Sequence, residues 1–422
     1  MRITYLFTGL VLLATATSCL KDQCEATRTF IAYEPVWASS EELRTLTTEA
    51  PRALEDPGKI YVLGDWLFVN ERWEGVHIFD NSDPANPQPL TFFRIPGNVD
   101  IAIRNGMLYA DNGPDLVTLD LSDPASPQLV DRREGVFHNG ADWGNQGFLL
   151  YYEATSRTVE VDCSENGWGS DSWVEESTVF LPNSFSAGDA AQSLNAAVRT
   201  GTGTGGSLAR FTIMDSHLYA IDDVRLFVFD LNSPASPQQA ATVDVGWGIE
   251  TVFPVAPHLF IGANDGMYIY DASNPLQPVQ LALFEHAQAC DPVFVDGNIA
   301  YVTLRDGTEC LGFVNQLDVV DVSSLTHPQL LQSYPMFNPI GISVADDHLY
   351  LCDNQEGLKV FDVSAWQNIG QGTVSRVADF TATDVITLPD EDLAIVVGPS
   401  GIQQFDIQDP TQPRRLSTIP VQ

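Results

Sequence analysis

One short phrase returns seven times along this chain: HIFDNSDPANPQ (77–88), TLDLSDPASPQ (118–128), VFDLNSPASPQ (228–238), IYDASNPLQP (269–278), VVDVSSLTHPQ (319–329), VFDVSAWQNIG (360–370) and QFDIQDPTQP (404–413). An eighth, degenerate copy is VEVDCSENG at 159–167. Each is anchored on an aspartate after an apolar run: Asp80, Asp120, Asp162, Asp230, Asp271, Asp321, Asp362 and Asp406. Successive spacings are 40, 42, 68, 41, 50, 41 and 44 residues. A period of this length with no helical segment is the signature of four-stranded propeller blades. The two long gaps read as insertions. The expected fold is therefore all-β, a closed β-propeller of eight four-stranded blades. Seven is the alternative if the 135–205 stretch is not a full blade.

One unit can be parsed from its residues. VDIAI (99–103), MLYAD (107–111), LVTLD (116–120) and QLVDRR (128–133) read as four strands rich in Val, Ile, Leu and Tyr. Asn105-Gly106 supplies the positive φ of a tight hairpin. The SDPASPQ turn has its own chemistry: aspartate accepts from the backbone N–H two residues on, and proline fixes φ and removes a ladder donor. The repeated aspartates are thus turn formers rather than acids. The copy at Trp366 lacks both prolines, which predicts a remodelled turn.

The phrase resembles the LVIVD-repeat family, and the resemblance covers 58–422. YEPVWASSEELR (33–44), PGKIYV (57–62), GWGIETVFP (246–254), CDPVFVDGNIAYVTLR (290–305) and DNQEGLKVFD (353–362) are similar to a lipoprotein group within it from Bacteroidota-type bacteria. The resemblance implies a β-propeller on the cell envelope and no particular reaction.

The N-terminus fits that expectation. Arg2 precedes an apolar run from Ile3 to Ala14, then Ala16-Thr17-Ser18-Cys19. Small residues before a cysteine read as a lipoprotein signal, cleaved before Cys19, whose thiol is then acylated. The run is too short to span a membrane. The chain thus divides into a signal peptide (1–18), an anchor segment (19–57) and the propeller (58–422), with an insertion at about 163–206. The implied location is the outer membrane, held by lipid alone, facing the periplasm or the cell surface.

Acidic residues number 56 against 20 basic, a formal net charge of −36. That excludes nucleic acid and anionic membrane faces as partners, since both need basic surface. It suits a solvated surface in a salty exterior, or affinity for cations. An exported protein permits disulfides. Cys290, in the link entering one unit, and Cys310, in the loop between that unit's second and third strands, share a face and are expected to pair. Cys24, Cys163 and Cys352 are left without an assignment.

No HExxH, GxSxG or GxxxxGK[ST] motif is present. The run GTGTGG (201–206) precedes a strand rather than a helix, so it lacks the helix N-terminus that holds phosphate and reads as a flexible insertion. Asp162, Ser164 and Asn166, then Gly167, open like a calcium loop, but position twelve is Trp173 rather than Glu. No cofactor is expected beyond that slight case for calcium. The remaining candidates are collective. Asp100, Asp142, Glu250, Asp291 and Asp384 fall near the start of innermost strands, with Lys59 and Arg210 at the same register. Innermost strands converge on the axis, so these charges are expected to line the channel mouth.

The sequence therefore reads as a lipid-anchored, monomeric propeller acting as a non-enzymatic binding or scaffold module for an envelope protein or a small polar ligand. The alternative is a metal-assisted hydrolase or lyase using the channel-mouth carboxylates. A purely structural envelope subunit is the third reading.

Overall fold

In every blade the three inner strands are largely buried and the outermost strand is the most exposed. Phe211–Met214, an innermost strand, is buried throughout, whereas its outermost counterpart Gln238–Asp244 alternates exposed and half-buried positions. The inner strands pack against neighbours on both sides, and the outer ones face water on one edge. The computed structural model describes residues 25–137, 147–162, 204–286, 292–306 and 314–422.

Seven four-stranded antiparallel sheets succeed one another along the chain: 57–94, 101–133, 211–244, 249–285, 293–335, 342–377 and 384–420. The protein is thus a seven-bladed propeller, and the eight-blade expectation is corrected. The missing blade is the one anchored on Asp162. Its VEVD ends a 15-residue strand, Phe148–Asp162, which pairs only with Glu25–Ala38. Among the described residues between Arg133 and Phe211 there is no four-stranded sheet. Alternating apolar residues before an aspartate suit a two-stranded ribbon as well as a blade. Residues 25–34 and 152–162 of the ribbon belong to a compact unit of their own. It is held by the Thr29–Thr158 hydroxyl pair at 2.9 Å and by Glu34, which accepts from Thr155 and Arg157.

The anchor aspartates behave as turn formers in all seven blades. Asp80, Asp120, Asp230, Asp271, Asp321, Asp362 and Asp406 each accept from the backbone N–H two residues on, at 2.7–3.0 Å. Hydrogen bonds from Ser82 and Ser122, hydroxyl and amide together, hold Asp80 and Asp120 below the usual carboxylate range. The next residue's N–H reaches back to the first hairpin turn of the same blade, as in Leu121 N to Gly106 O at 2.7 Å and Ile407 N to Asp392 O at 2.8 Å. Asn105 and Gly106 have φ of 50° and 76°, the mirror-image turn their residue types imply.

The Trp366 copy is remodelled. It keeps the turn bond, Asn368 N to Ala365 O at 2.9 Å, then runs into a 3₁₀ helix, Trp366–Gln371. Without prolines to stop it, the helical turn continues, and the fourth strand shrinks to Ser375–Val377. The other six blades carry a register shift between their third and fourth strands, and this blade does not.

Before the first blade, helix Ser40–Arg44 is capped reciprocally by Ser39 and Glu42, and Thr47–Glu49 adds an outer strand to the blade's edge. The ring closes between first and last blades. Asn81 and Gln404 exchange two side-chain hydrogen bonds at 3.0 and 2.6 Å, and Leu54 bridges Val421.

Candidate functional site

Seven innermost strands leave a channel along the axis, and the chain itself enters it. Thr204–Gly205 pairs antiparallel with the inner edge of the first blade's innermost strand, Thr204 opposite Val62 and Gly205 opposite Tyr61. The chain then crosses the channel before starting the third blade at Phe211. The GTGTGG run is therefore not a loose insertion at its end, because its last residues seat as an axial strand.

The charged residues expected at the channel mouth organise around this crossing. Asp100 precedes the second blade's inner strand and is buried. Its Oδ2 accepts from the Arg210 and Phe211 amides at 2.7 and 2.8 Å, and its Oδ1 from the Ile101 amide at 2.7 Å. Lys59, also buried, places Nζ 3.2 Å from Asp100 Oδ2 and donates to Leu208 O at 3.0 Å. The pair therefore clamps the crossing segment by both its amides and its carbonyl. The Arg210 guanidinium lies 3.3 Å from Asp223.

On the neighbouring seventh blade, Asp384 opens the inner strand and is 1% exposed. Its Oδ1 accepts from the Ser207 amide at 3.3 Å, with the Ser207 hydroxyl at 3.5 Å. That hydroxyl accepts from the Ile342 amide at 2.7 Å, joining the sixth blade. The fourth blade joins through Val252 N to Ala209 O at 2.6 Å. Leu208 and Ala209 pack on Ile340. Six residues thus contact five blades.

Glu250 lies half-buried at a register irregularity in the fourth blade's inner strand. Asp142 and Asp291 lie outside the described residues, as do Cys19, Cys290 and Cys310. Of the calcium-loop candidates, Ser164 and Asn166 are also outside, and Asp162 is the last residue of its strand. Among the described residues no three His, Cys, Asp or Glu are disposed to hold a metal. Cys352, free and buried, sits beside the channel wall.

Several residues of the site escaped sequence reasoning. Asp111 accepts from Asn98 Nδ2 and the Val99 and Asp100 amides at 2.7–2.9 Å, fixing the approach to Asp100. Burial, helped by the Asp100 charge, pushes it up to about 6 although the two amides pull it down. Asp353 accepts from the Phe337 and Asn338 amides and pairs with Lys359, setting the link into the sixth blade. Ser207 and Gly206 were visible only as the tail of a glycine run directly before a strand.

The repeat decides the relationship. The LVIVD repeat model matches residues 56–90, 98–133, 288–335 and 340–368, stretches that fall on the first, second, fifth and sixth blades. The chain carries LVIVD repeats on a seven-bladed β-propeller. No curated protein matches it in sequence. Among solved structures, the LVIVD propeller is similar to a putative 6-phosphogluconolactonase from Bacteroides fragilis, at 10% identity and TM-score 0.53, covering 88% of this chain and 97% of that one. It is also similar to a functionally unknown protein from Desulfotomaculum acetoxidans, at 12% identity and TM-score 0.51, covering 84% and 95%. Sqt1 from Saccharomyces cerevisiae shares 9% identity at TM-score 0.51, covering 89% and 87%. At such identities the likeness is one of fold.

Proposed function

We propose that this LVIVD propeller is an exported lipoprotein of the Bacteroidota-type group, anchored through Cys19 in the outer membrane, where it serves as a non-enzymatic binding or scaffold module. The observation that carries the reading is the occupied axis. Asp100 and Lys59 are committed to the backbone of the chain's own crossing segment, and Asp384 is sealed against it. In this plugged state the carboxylates that a hydrolase or lyase would use are closed to substrate. A plugged propeller instead offers rigid rims of loops, a surface suited to recognising a partner. Loops between blades present Trp247 and Phe337, 57% and 52% exposed, and aromatic residues of this kind anchor interfaces.

Two measurements test the reading. Cys19→Ala should move the protein from the membrane fraction to the soluble fraction and abolish incorporation of a labelled fatty acid. A variant that stays in the membrane refutes the anchor. In-cell crosslinking at Trp247 and Phe337, through photoreactive residues placed there, should capture a defined envelope protein. Capture of none, together with a small polar molecule retained in native mass spectra, would replace the scaffold reading with ligand binding.

A further inference from the structure

The crossing segment and Asp384 form an unusual contact. The carboxyl is wedged between two glycines. A Cβ added to Gly206 would lie 2.0 Å from Asp384 Oδ2, and one added to Gly341 would lie 2.3 Å from Oδ1. Only residues without a side chain let both backbones close on it. Oδ1 has the Ser207 amide, and the Val385 amide also favours the carboxylate. Oδ2 has no hydrogen-bond partner among the described residues and is fully buried against Gly206. An ionised carboxylate needs donors on both oxygens, and a buried one without them is costly. A protonated carboxyl loses far less in the same place.

The surroundings do not supply the missing charge. Lys59 is the nearby cation, reaching from the first blade, and its Nζ is engaged by Asp100 and Leu208 O. From the sixth blade come the Cys352 thiol and, beyond it, Asp353, neither of which favours a second negative charge. The crossing segment offers Ser207 alone. Burial pushes the Asp384 carboxyl well above its ordinary value, against the amides of Val385 and Ser207 and the Lys59 charge, which pull it down.

We propose that residues 204–209 are a removable plug of the axial channel, latched while Asp384 is uncharged and released when it ionises. Withdrawing the plug frees Lys59 from the Leu208 carbonyl and opens the axis to water. The sign follows from linkage. Asp384 holds a proton in the plugged state and loses it at an ordinary carboxylate value once exposed, so opening releases one proton. The opening equilibrium therefore rises tenfold per pH unit between the ordinary value, about 4, and the higher value of the plugged state. Above that it levels off. The device gates the axis and does not depend on lipid anchoring or on any partner.

Hydrogen exchange on the full chain, corrected for the intrinsic rate at each pH, tests the latch. Peptides covering 204–211 should lose protection about tenfold per pH unit within the window, while peptides from the fourth blade's inner strand, 249–255, stay protected. Asp384→Asn, which keeps the shape of the uncharged acid, should remove the pH dependence and keep 204–211 protected. Equal slopes in the wild type and in D384N overturn the proposal, as does opening of 204–211 only together with the blades. Gly206→Ala supplies a second test that does not touch the acid. Its methyl should expel the segment at every pH with blade protection retained, and unchanged protection of 204–211 overturns the latch geometry.

Discussion

Replacing Lys59 by methionine should destabilise the propeller by about 3 kcal/mol. The substitution keeps the aliphatic stem and removes only the ammonium. Lys59 and Asp100 are both nearly sealed from water, 3.2 Å apart, and their side chains are 4% and 5% exposed. Breaking a buried pair from one side costs about 3–5 kcal/mol, because the remaining charge is stranded. Asp100 keeps three amide donors, from Ile101, Arg210 and Phe211, so the lower end of that range applies. Leu208 O loses its donor at the same time. In a chain of this size 3 kcal/mol corresponds to a fall in Tm of about 3–4 °C. Urea unfolding followed by tryptophan fluorescence reads the change as a shift in midpoint. Asp100→Asn in the Lys59→Met background should cost less than the two single changes summed, by about 1–3 kcal/mol. A loss below about 1 kcal/mol for Lys59→Met, or a strictly additive double variant, would refute the clamp as a coupled buried pair.

Other outcomes follow from the same reasoning. Glu71 is buried, which works to raise it, but the His77 hydrogen bond and the Asp56 and Glu55 amides outweigh burial and hold it below its ordinary value. Its contribution is present above that ordinary value and is lost as pH falls through the lowered one, so Glu71→Gln should flatten the decline in Tm between about pH 5 and pH 3; an unchanged acid limb contradicts the assignment. Asp111, raised from 3.8 to about 6, behaves oppositely. Its stability is present below 3.8 and lost as pH rises through about 6, so Asp111→Asn should gain on the wild type from pH 4 to 7, by at most about 3 kcal/mol; parallel stability profiles count against it. Gln404→Leu strands the buried Asn81 amide at the ring closure and should cost about 2 kcal/mol in urea unfolding, partly recovered by adding Asn81→Leu; full additivity would show that the two do not act as a pair.

The blades were legible because their code is local. An apolar run, an aspartate and a proline turn describe contacts within a dozen residues, and the strands parsed around Asn105-Gly106 fall where the residues placed them, at Ile101–Arg104, Met107–Asn112, Asp115–Asp120 and Gln128–Arg133. The count failed at Asp162 for a related reason. The local pattern was met there without the sheet, and the better signal was the spacing of 68 residues to the next anchor. Loss of prolines was no guide, since the Trp366 copy also lacks them and still builds a blade. The axial crossing was illegible because it is made of long-range pairs. Ser207 meets Asp384 across 177 residues and Lys59 meets Asp100 across 41. Glycines chosen for close approach leave no periodicity to read. Carboxylates aligned by register were placed near the axis, but register could not say that the chain's own backbone would bind two of them.

Every blade is complete within one continuous stretch of sequence, and the two ends of the ring meet blade against blade rather than by lending each other a strand. Asn81 with Gln404, Leu54 with Val421, and Ser417 with Pro84 O stitch that seam. The seam is therefore an interface like the other six, distinguished only by the missing peptide link. A circular permutant that joins the ring's ends, near Leu54 and Val421, by a short linker and reopens the chain in a proline turn such as 123–127 should still close into the same ring. The same modularity means that whole blades, rather than fractions of them, are the units in which such a chain can lengthen or shorten.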